Sequence, residues 1–394
     1  MKSAIMAALL FAAYGGVDSM NVHADEAIPE GYPSVKEFPD PFRFDDGTRV
    51  ASVKDWPRRR DEMKECILAI EYGHVPPPPG NVEVAREDAP EVTNEGRTFS
   101  QRVVLRFGPD KALETNVCVY RPNDKTGPFP TIVRIGPGDD MASEMNERGY
   151  AFVAFEHRDL DPDTEGHDVV GPAQQAYPDN DWASLGVWAW GASRVVDYLE
   201  TCPWANTAQL VITGHSRTGK TALLAGALDE RFAMVVPNGS GCGGSGAFRV
   251  MGTGAETLDL ITRPERFASW FHKDFHRFAR REDRLPFDQH FLKALVAPRM
   301  LLTTDALGDY WANPLGTQAT FLAVQPVFDF LGASDHSAIH FRKGGHDQLP
   351  EDFRALLDFA DWYFSERPLP RPRVILADPG YRLSVSWNAP KPGS

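Results

Sequence analysis

Cysteine is scarce in this chain: Cys66, Cys118, Cys202 and Cys242 are the only four in 394 residues. They form no Cys-x-x-Cys pair, and no two histidines stand at ligand spacing, so no zinc site is expected. A chain of this size buries enough core to fold without disulfides, and four cysteines allow three full pairings that the sequence does not separate. Positive charge is also short. Lys and Arg total 41 against 55 Asp and Glu, a net charge of −14, which argues against nucleic acid and anionic membranes as partners. No apolar run after the N-terminus approaches the roughly 18 residues of a membrane helix. Repeats are absent, and the one biased tract, Pro76 to Pro79, is a stiff extended connector.

Residues 1–24 have the layout of a secretory signal. Lys2 supplies the positive end, Ile5 to Ala13 the apolar stretch, and Val22-His23-Ala24 a small-residue cleavage site before Asp25. Export to the periplasm or the medium is expected, without a lipid anchor because no cysteine sits at the cleavage point. Residues 25–394 are expected to form a single domain, with an irregular N-terminal arm over 25–54 and an insertion over the cleft around 240–298, rich in Gly, Arg and aromatics.

Hydrophobic periodicity places the elements. Asp55 is expected to cap a helix carrying Met63, Cys66, Ile67 and Ile70 on one face and ending at Gly73. Arg97–Phe107 and Glu114–Arg121 are expected to be an antiparallel pair. Alternation then sets in: strands at Thr131–Ile135, Gly149–Phe155, Leu210–Thr213, Met234–Val236, Met300–Thr304 and Ala338–Phe341, with helices at Asp181–Glu200, Thr317–Leu331 and Glu351–Phe364. This pattern predicts a three-layer α/β sandwich around a mostly parallel sheet, with ligands at the carboxyl ends of the strands. The tail after Pro370 is expected to be a short extended appendage.

The most informative stretch is Gln209-Leu210-Val211-Ile212-Thr213-Gly214-His215-Ser216-Arg217-Thr218-Gly219-Lys220-Thr221. Strand, tight turn, serine and helix in that order make a nucleophile elbow, which lifts a serine hydroxyl above the sheet beside the unpaired N–H groups of a helix start. The usual Gly-x-Ser-x-Gly is broken, because Thr218 fills the fifth place and Gly219 comes one residue late. Gly214 to Thr221 also satisfy the Gly-x-x-x-x-Gly-Lys-Thr pattern of a phosphate-binding loop.

Further blocks decide between the two. Gly-x-Ser-Arg-x-Gly-Lys, Asn238-Gly239-Ser240-Gly241-Cys242-Gly243-Gly244, Gly254-Ala255-Glu256-Thr257, Leu285-Pro286-Phe287-Asp288-Gln289-His290, Ala297-Pro298-Arg299 and Asp309-Tyr310-Trp311-Ala312-Asn313-Pro314 resemble, in order and rough spacing, carbohydrate esterase family 15, the glucuronoyl esterases of the α/β-hydrolase superfamily. The phosphate-loop reading explains none of them.

A serine hydroxyl needs a base, and the base needs an orienting group. In α/β-hydrolases these follow in the order Ser, acid, His. Ser216 is the candidate nucleophile. His346 follows a strand and precedes the last helix, where this fold presents its base, whereas His336 and His340 lie before or within that strand. The acid is open between two residues. The family's common glutamate position falls on Gly239, so this chain lacks it; Asp309 matches the family's alternative position two residues before Trp311, while Asp305 stands nearer the strand end. Asp347, adjacent to the base, is poorly placed to reach its Nδ1.

The resemblance implies further roles. Arg217 is an oxyanion residue through its backbone N–H and guanidinium, and Lys220, Glu256 and Trp311 contact sugar hydroxyls. Trp270 and Phe271 are expected in the core. The implied reaction is hydrolysis of (4-O-methyl-)glucuronic acid esters, as in lignin–carbohydrate links of glucuronoxylan, through a glucuronoyl-serine intermediate. No metal or organic cofactor is implied, and a monomer is expected. An acidic surface disfavours long-range capture of an acidic polysaccharide, although an esterified uronate is uncharged. An acetyl xylan esterase or other carbohydrate deacetylase on the same fold, and a non-catalytic carbohydrate-binding relative, are the competing readings.

Overall fold

A computed structural model describes residue 28 and residues 31–139, 141–164 and 170–391; the expected leader at 1–24 lies outside them. The sheet strands, in chain order, are β1 (Glu83–Glu87), β2 (Glu91–Thr93), β3 (Thr98–Phe107), β4 (Leu113–Pro122), β5 (Phe129–Ile135), β6 (Ala151–Phe155), β7 (Ala205–His215), β8 (Phe232–Asn238), β9 (Met300–Ala306), β10 (Ser337–Arg342) and β11 (Val374–Ile375). Their spatial order is β1-β3-β4-β6-β5-β7-β8-β9-β10-β11, with β2 on β3. Pairings from β1 to the β4–β6 contact are antiparallel, and all those from β6 onward are parallel. This is the α/β-hydrolase sandwich.

Strand side chains alternate between faces, and each face has its own buried cluster. Ile132, Phe152, Ala154, Val211, Met234, Val236, Met300 and Leu302 pack with Phe353, Leu356, Leu357 and Ala360 of the last helix, Pro350–Ser365. Val133, Ile135, Val153, Phe155, Leu210, Ile212, Val235 and Leu301 turn the other way, toward Leu185, Trp188, Ala192 and Val195 of the Ser184–Leu199 helix and Leu223 and Leu224 of the Arg217–Leu228 helix. Both clusters need a helix layer to exclude water, which makes the sandwich.

Several elements depart from the sequence-based expectations. Asp55 does not cap the Trp56–Ile67 helix; its carboxylate accepts from the Ala51 and Ser52 backbone instead. A wide turn, Leu68–Tyr72, extends that helix. The Asp181–Glu200 helix starts only at Ser184, because Asp181 is drawn to the backbone and ring of His74. β1, β2 and β11 were not foreseen: β1 and β2 are short edge strands with little apolar content, and β11 has only two residues.

The N-terminal arm and the tail are not loose appendages. Phe42, Phe44 and Val50 enter the main core, and Trp387, 8% exposed, packs on Phe42 and donates through Nε1 to Phe38 O at 2.9 Å. The aromatics of the 240–298 segment (Phe248, Phe271, Phe275, Phe287 and Phe291) join the same cluster as the helices beside the sheet. No helix among the described residues is long and apolar enough to cross a membrane. The four cysteines are free thiols.

Candidate active site

The elbow begins where β7 ends at His215 and the helix starts at Arg217. Ser216 between them has φ 57° and ψ −121°, a backbone state that a side chain ordinarily avoids. The turn closes through glycine at two places. A Cβ on Gly214 would fall 2.2 Å from Thr218 O, and one on Gly219 would fall 2.6 Å from Asn238 O. The late glycine therefore serves the approach of the helix to β8. Thr218, in the place where glycine is common, accepts from His215 N at 2.9 Å through its hydroxyl and ties the elbow from inside. Ser216 N donates to Asn238 O at 2.9 Å.

Ser216 Oγ stands 2.9 Å from His346 Nε2, and His346 Nδ1 stands 2.6 Å from Asp309 Oδ2. A carboxylate accepts only, so Nδ1 carries the proton and Nε2 is free to take that of Ser216. Asp309, 3% exposed, is held in turn by Ala312 N on its other oxygen at 3.2 Å. Two backbone bonds, Leu307 N to Arg342 O at 2.8 Å and Gly308 N to Gly344 O at 2.9 Å, lash the acid's loop to the base's loop.

Asp305 faces elsewhere. It is buried, accepts from its own neighbour Ala306 N, and is pushed well above the ordinary carboxylate range by burial and then by the charge of Asp309. His336 bonds Pro298 O, and His340 is buried in β10. Asp347 makes no bond to His346 Nδ1.

His215 and Asn238 also belong to the site, although motif reasoning does not single them out. The Asn238 amide donates to Thr304 Oγ1 at 2.9 Å, which turns its oxygen toward His215 Nδ1 at 2.6 Å. Burial pushes His215 down to about 4, so it is a neutral ring at pH 7, its centroid 4.6 Å from that of His346. It fills the space beside Gly239, where a Cβ would meet its Cε1 at 3.1 Å. A histidine between glycine and serine was visible in the sequence, but its contact with the base is tertiary.

The other expected site residues lie on the same side. Lys220 and Glu256, each nearly fully buried, form an ion pair of 2.9 Å, and Lys220 Nζ also donates to Ser240 O at 2.7 Å. Trp311 is half-buried; its backbone carbonyl accepts from Glu256 N at 2.9 Å, and Arg266 lies over its ring. The Arg217 guanidinium bonds Asp163 at 3.0 Å. Trp270 is buried as expected, yet its Nε1 reaches Asp163 at 3.2 Å. Asp163 carries no motif and was missed.

Comparison with known proteins places this geometry. A family model described as "Glucuronyl esterase, fungi" matches residues 108–332. A solved glucuronoyl esterase of carbohydrate esterase family 15 from Caldicellulosiruptor kristjansonii is 31% identical, with TM-score 0.77, covering 92% of this chain and 98% of that one. A 4-O-methyl-glucuronoyl methylesterase from Wolfiporia cocos is 30% identical over 82% of this chain and 80% of its own length. A glucuronoyl esterase from Sporotrichum thermophile, solved with methyl 4-O-methyl-beta-D-glucopyranuronate, is 25% identical with TM-score 0.74, over 91% of this chain and 95% of that one.

Proposed function

The chain belongs to the glucuronoyl esterase family, and we propose that it hydrolyses esters of (4-O-methyl-)glucuronic acid, as in the lignin–carbohydrate links of glucuronoxylan, with Ser216, His346 and Asp309 as its catalytic residues. The observation that carries the reading is the continuous relay from Ser216 Oγ through His346 to Asp309, at 2.9 and 2.6 Å.

His346 Nε2 takes the serine proton as Oγ attacks the ester carbonyl, and Asp309 stabilises the imidazolium that forms. Negative charge develops on the carbonyl oxygen next to the first turn of the Arg217–Leu228 helix. There the Arg217 N–H has no intrahelical acceptor, and its guanidinium adds a cation. The tetrahedral intermediate collapses, and His346 returns the proton to the departing alcohol. A water deprotonated by the same base then cleaves the glucuronoyl-serine and regenerates Ser216. Lys220, Glu256 and Trp311 hold the sugar hydroxyls in this reading, and export from the cell with removal of residues 1–24 brings the enzyme to its polymer. Neither nucleic acid nor a second copy of the chain is required.

A non-catalytic relative would rest on the acid missing at Gly239, but Asp309 already meets the base. The deciding experiment compares turnover of methyl glucuronate with 4-nitrophenyl acetate and an acetylated xylan. Efficient uronate hydrolysis with poor deacetylation is expected. Deacetylation alone would replace this reading with a carbohydrate deacetylase, and failure of an active-site serine probe to label Ser216 would replace it with a binding protein.

A further inference from the structure

Arg217 follows the nucleophile directly, so its backbone is fixed by the elbow while its long side chain is not. Two separate parts of the chain converge on that side chain. Asp163, in the segment after β6, meets Nη1 with both oxygens, at 3.0 and 3.1 Å. Trp270, 2% exposed, donates from Nε1 to Asp163 Oδ1 at 3.2 Å. Phe267 and Trp270 stack at 4.0 Å and 9°, and the guanidinium carbon lies 5.2 and 4.8 Å from their ring centroids.

We infer that Asp163 is a positioning residue for Arg217, set in place by Trp270, so that the 240–298 insertion tunes the oxyanion site from behind. The inference rests on the esterase reading above. Both bonds to Asp163 use Nη1, and no described residue accepts from Nε or Nη2. One edge of the planar fork is pinned and another remains for a developing oxyanion. The flat face lies near two aromatic rings, a geometry in which a guanidinium is attracted by their electrons. A neighbouring carboxylate weakens the pull of a cation on negative charge. What Asp163 contributes must therefore be orientation: donors already aimed need no rearrangement as charge develops.

A double-mutant cycle separates this role from a merely structural one. Asp163→Asn, Arg217→Met and the pair are assayed on methyl glucuronate and on 4-nitrophenyl acetate, with a thermal melt for each. Asp163→Asn should lower kcat at least tenfold with KM within twofold. In the Arg217→Met background the same change should alter kcat less than twofold. Asp163→Glu should recover part of the loss. Trp270→Phe removes the Nε1 donor and trims the ring while leaving Asp163 intact, so it tests the same link if Asp163→Asn melts early; it should lower kcat modestly, and again only when Arg217 is present. An equal loss in both backgrounds, a loss confined to KM, or a rise in kcat on Asp163→Asn would overturn the inference. If wild type cleaves the acetate but not the uronate, the substrate reading falls while the cycle remains readable on the acetate. If it cleaves neither, both fall.

Discussion

Gly239 and Asp309 face one another beside the base: a Cβ on Gly239 would lie 3.5 Å from Asp309 Oδ2, the oxygen 2.6 Å from His346 Nδ1. Two positions 70 residues apart in sequence, those that the family resemblance implies as the usual acid site and its alternative, thus address one point in space. The glycine leaves room there for Asp309 and for the His215 ring.

The acid should be transferable between the two positions. Asp309→Asn should lower kcat at least a hundredfold with little change in KM, since loss of the orienting carboxylate costs about 10⁴ in a serine protease. In an Asp309→Ala background, Gly239→Glu should recover at least tenfold, despite its strained φ of +52°. Steady-state kinetics on benzyl glucuronate decides it. No recovery would mean that the His215 ring bars the route, and an Asp305→Asn variant more impaired than Asp309→Asn would move the acid to Asp305.

Ser216 should be held in its conformation at a cost to stability. Non-glycine residues in such backbone regions carry strain of about 1–3 kcal/mol. Ser216→Gly should therefore raise the unfolding free energy, by about 1 kcal/mol, while ester hydrolysis is lost; Ser216→Ala should lose activity without that gain. Urea titration is the check. A less stable glycine variant would show that the elbow is not strained.

The Lys220–Glu256 pair should matter to folding as well as to substrate. Both groups are buried, and removing one partner strands the other's charge, a loss of about 3–5 kcal/mol in comparable pairs. Lys220→Met alone should melt far below wild type, and Lys220→Met with Glu256→Gln should regain most of that stability. The double variant should still discriminate poorly between methyl glucuronate and 4-nitrophenyl acetate. If it keeps wild-type selectivity, the pair is a purely structural bridge.

Three buried histidines should weaken the fold on mild acidification. Burial pushes His157 and His215 to about 4 and His290 to about 3. The unfolded chain protonates these rings near 6.5 while the folded chain does not, so between pH 6.5 and about 4 the unfolded state binds more protons and is favoured. Buried Glu71, Asp161 and Asp305, all pushed upward by burial, act with the opposite sign, so the histidine share is read from a variant and not from the net slope. His157 has neither ring nitrogen bonded and packs edge-on against Trp188, so His157→Phe should shift the slope of melting temperature against pH toward greater acid stability than wild type. An unchanged slope would mean that His157 is already charged in the fold.

Local sequence determined the elements that need only their own residues. The strand–turn–helix around Ser216 was legible because β-branched residues, a glycine and an Ala/Leu-rich helix act within a few positions of one another. The parallel strands β5 to β10 were legible for the same reason, as short apolar runs between turns. His346 could be placed by chain order alone, after a strand and before the last helix. Edge strands β1 and β2, short and with no buried residue, left no such trace, and the arm and tail gave no local sign that Phe42 and Trp387 would meet in the core.

Only the tertiary structure decided which groups touch. Asp305 and Asp309 are four residues apart with similar local prospects, yet one is sealed behind the sheet end while the other reaches His346, 37 residues along the chain. Asp163 meets Arg217 across 54 residues and Trp270 across 107. Composition and periodicity describe how a residue suits its own strand or helix. The identity of its neighbour depends on how layers pack around a shared core, and no short window of sequence contains that information.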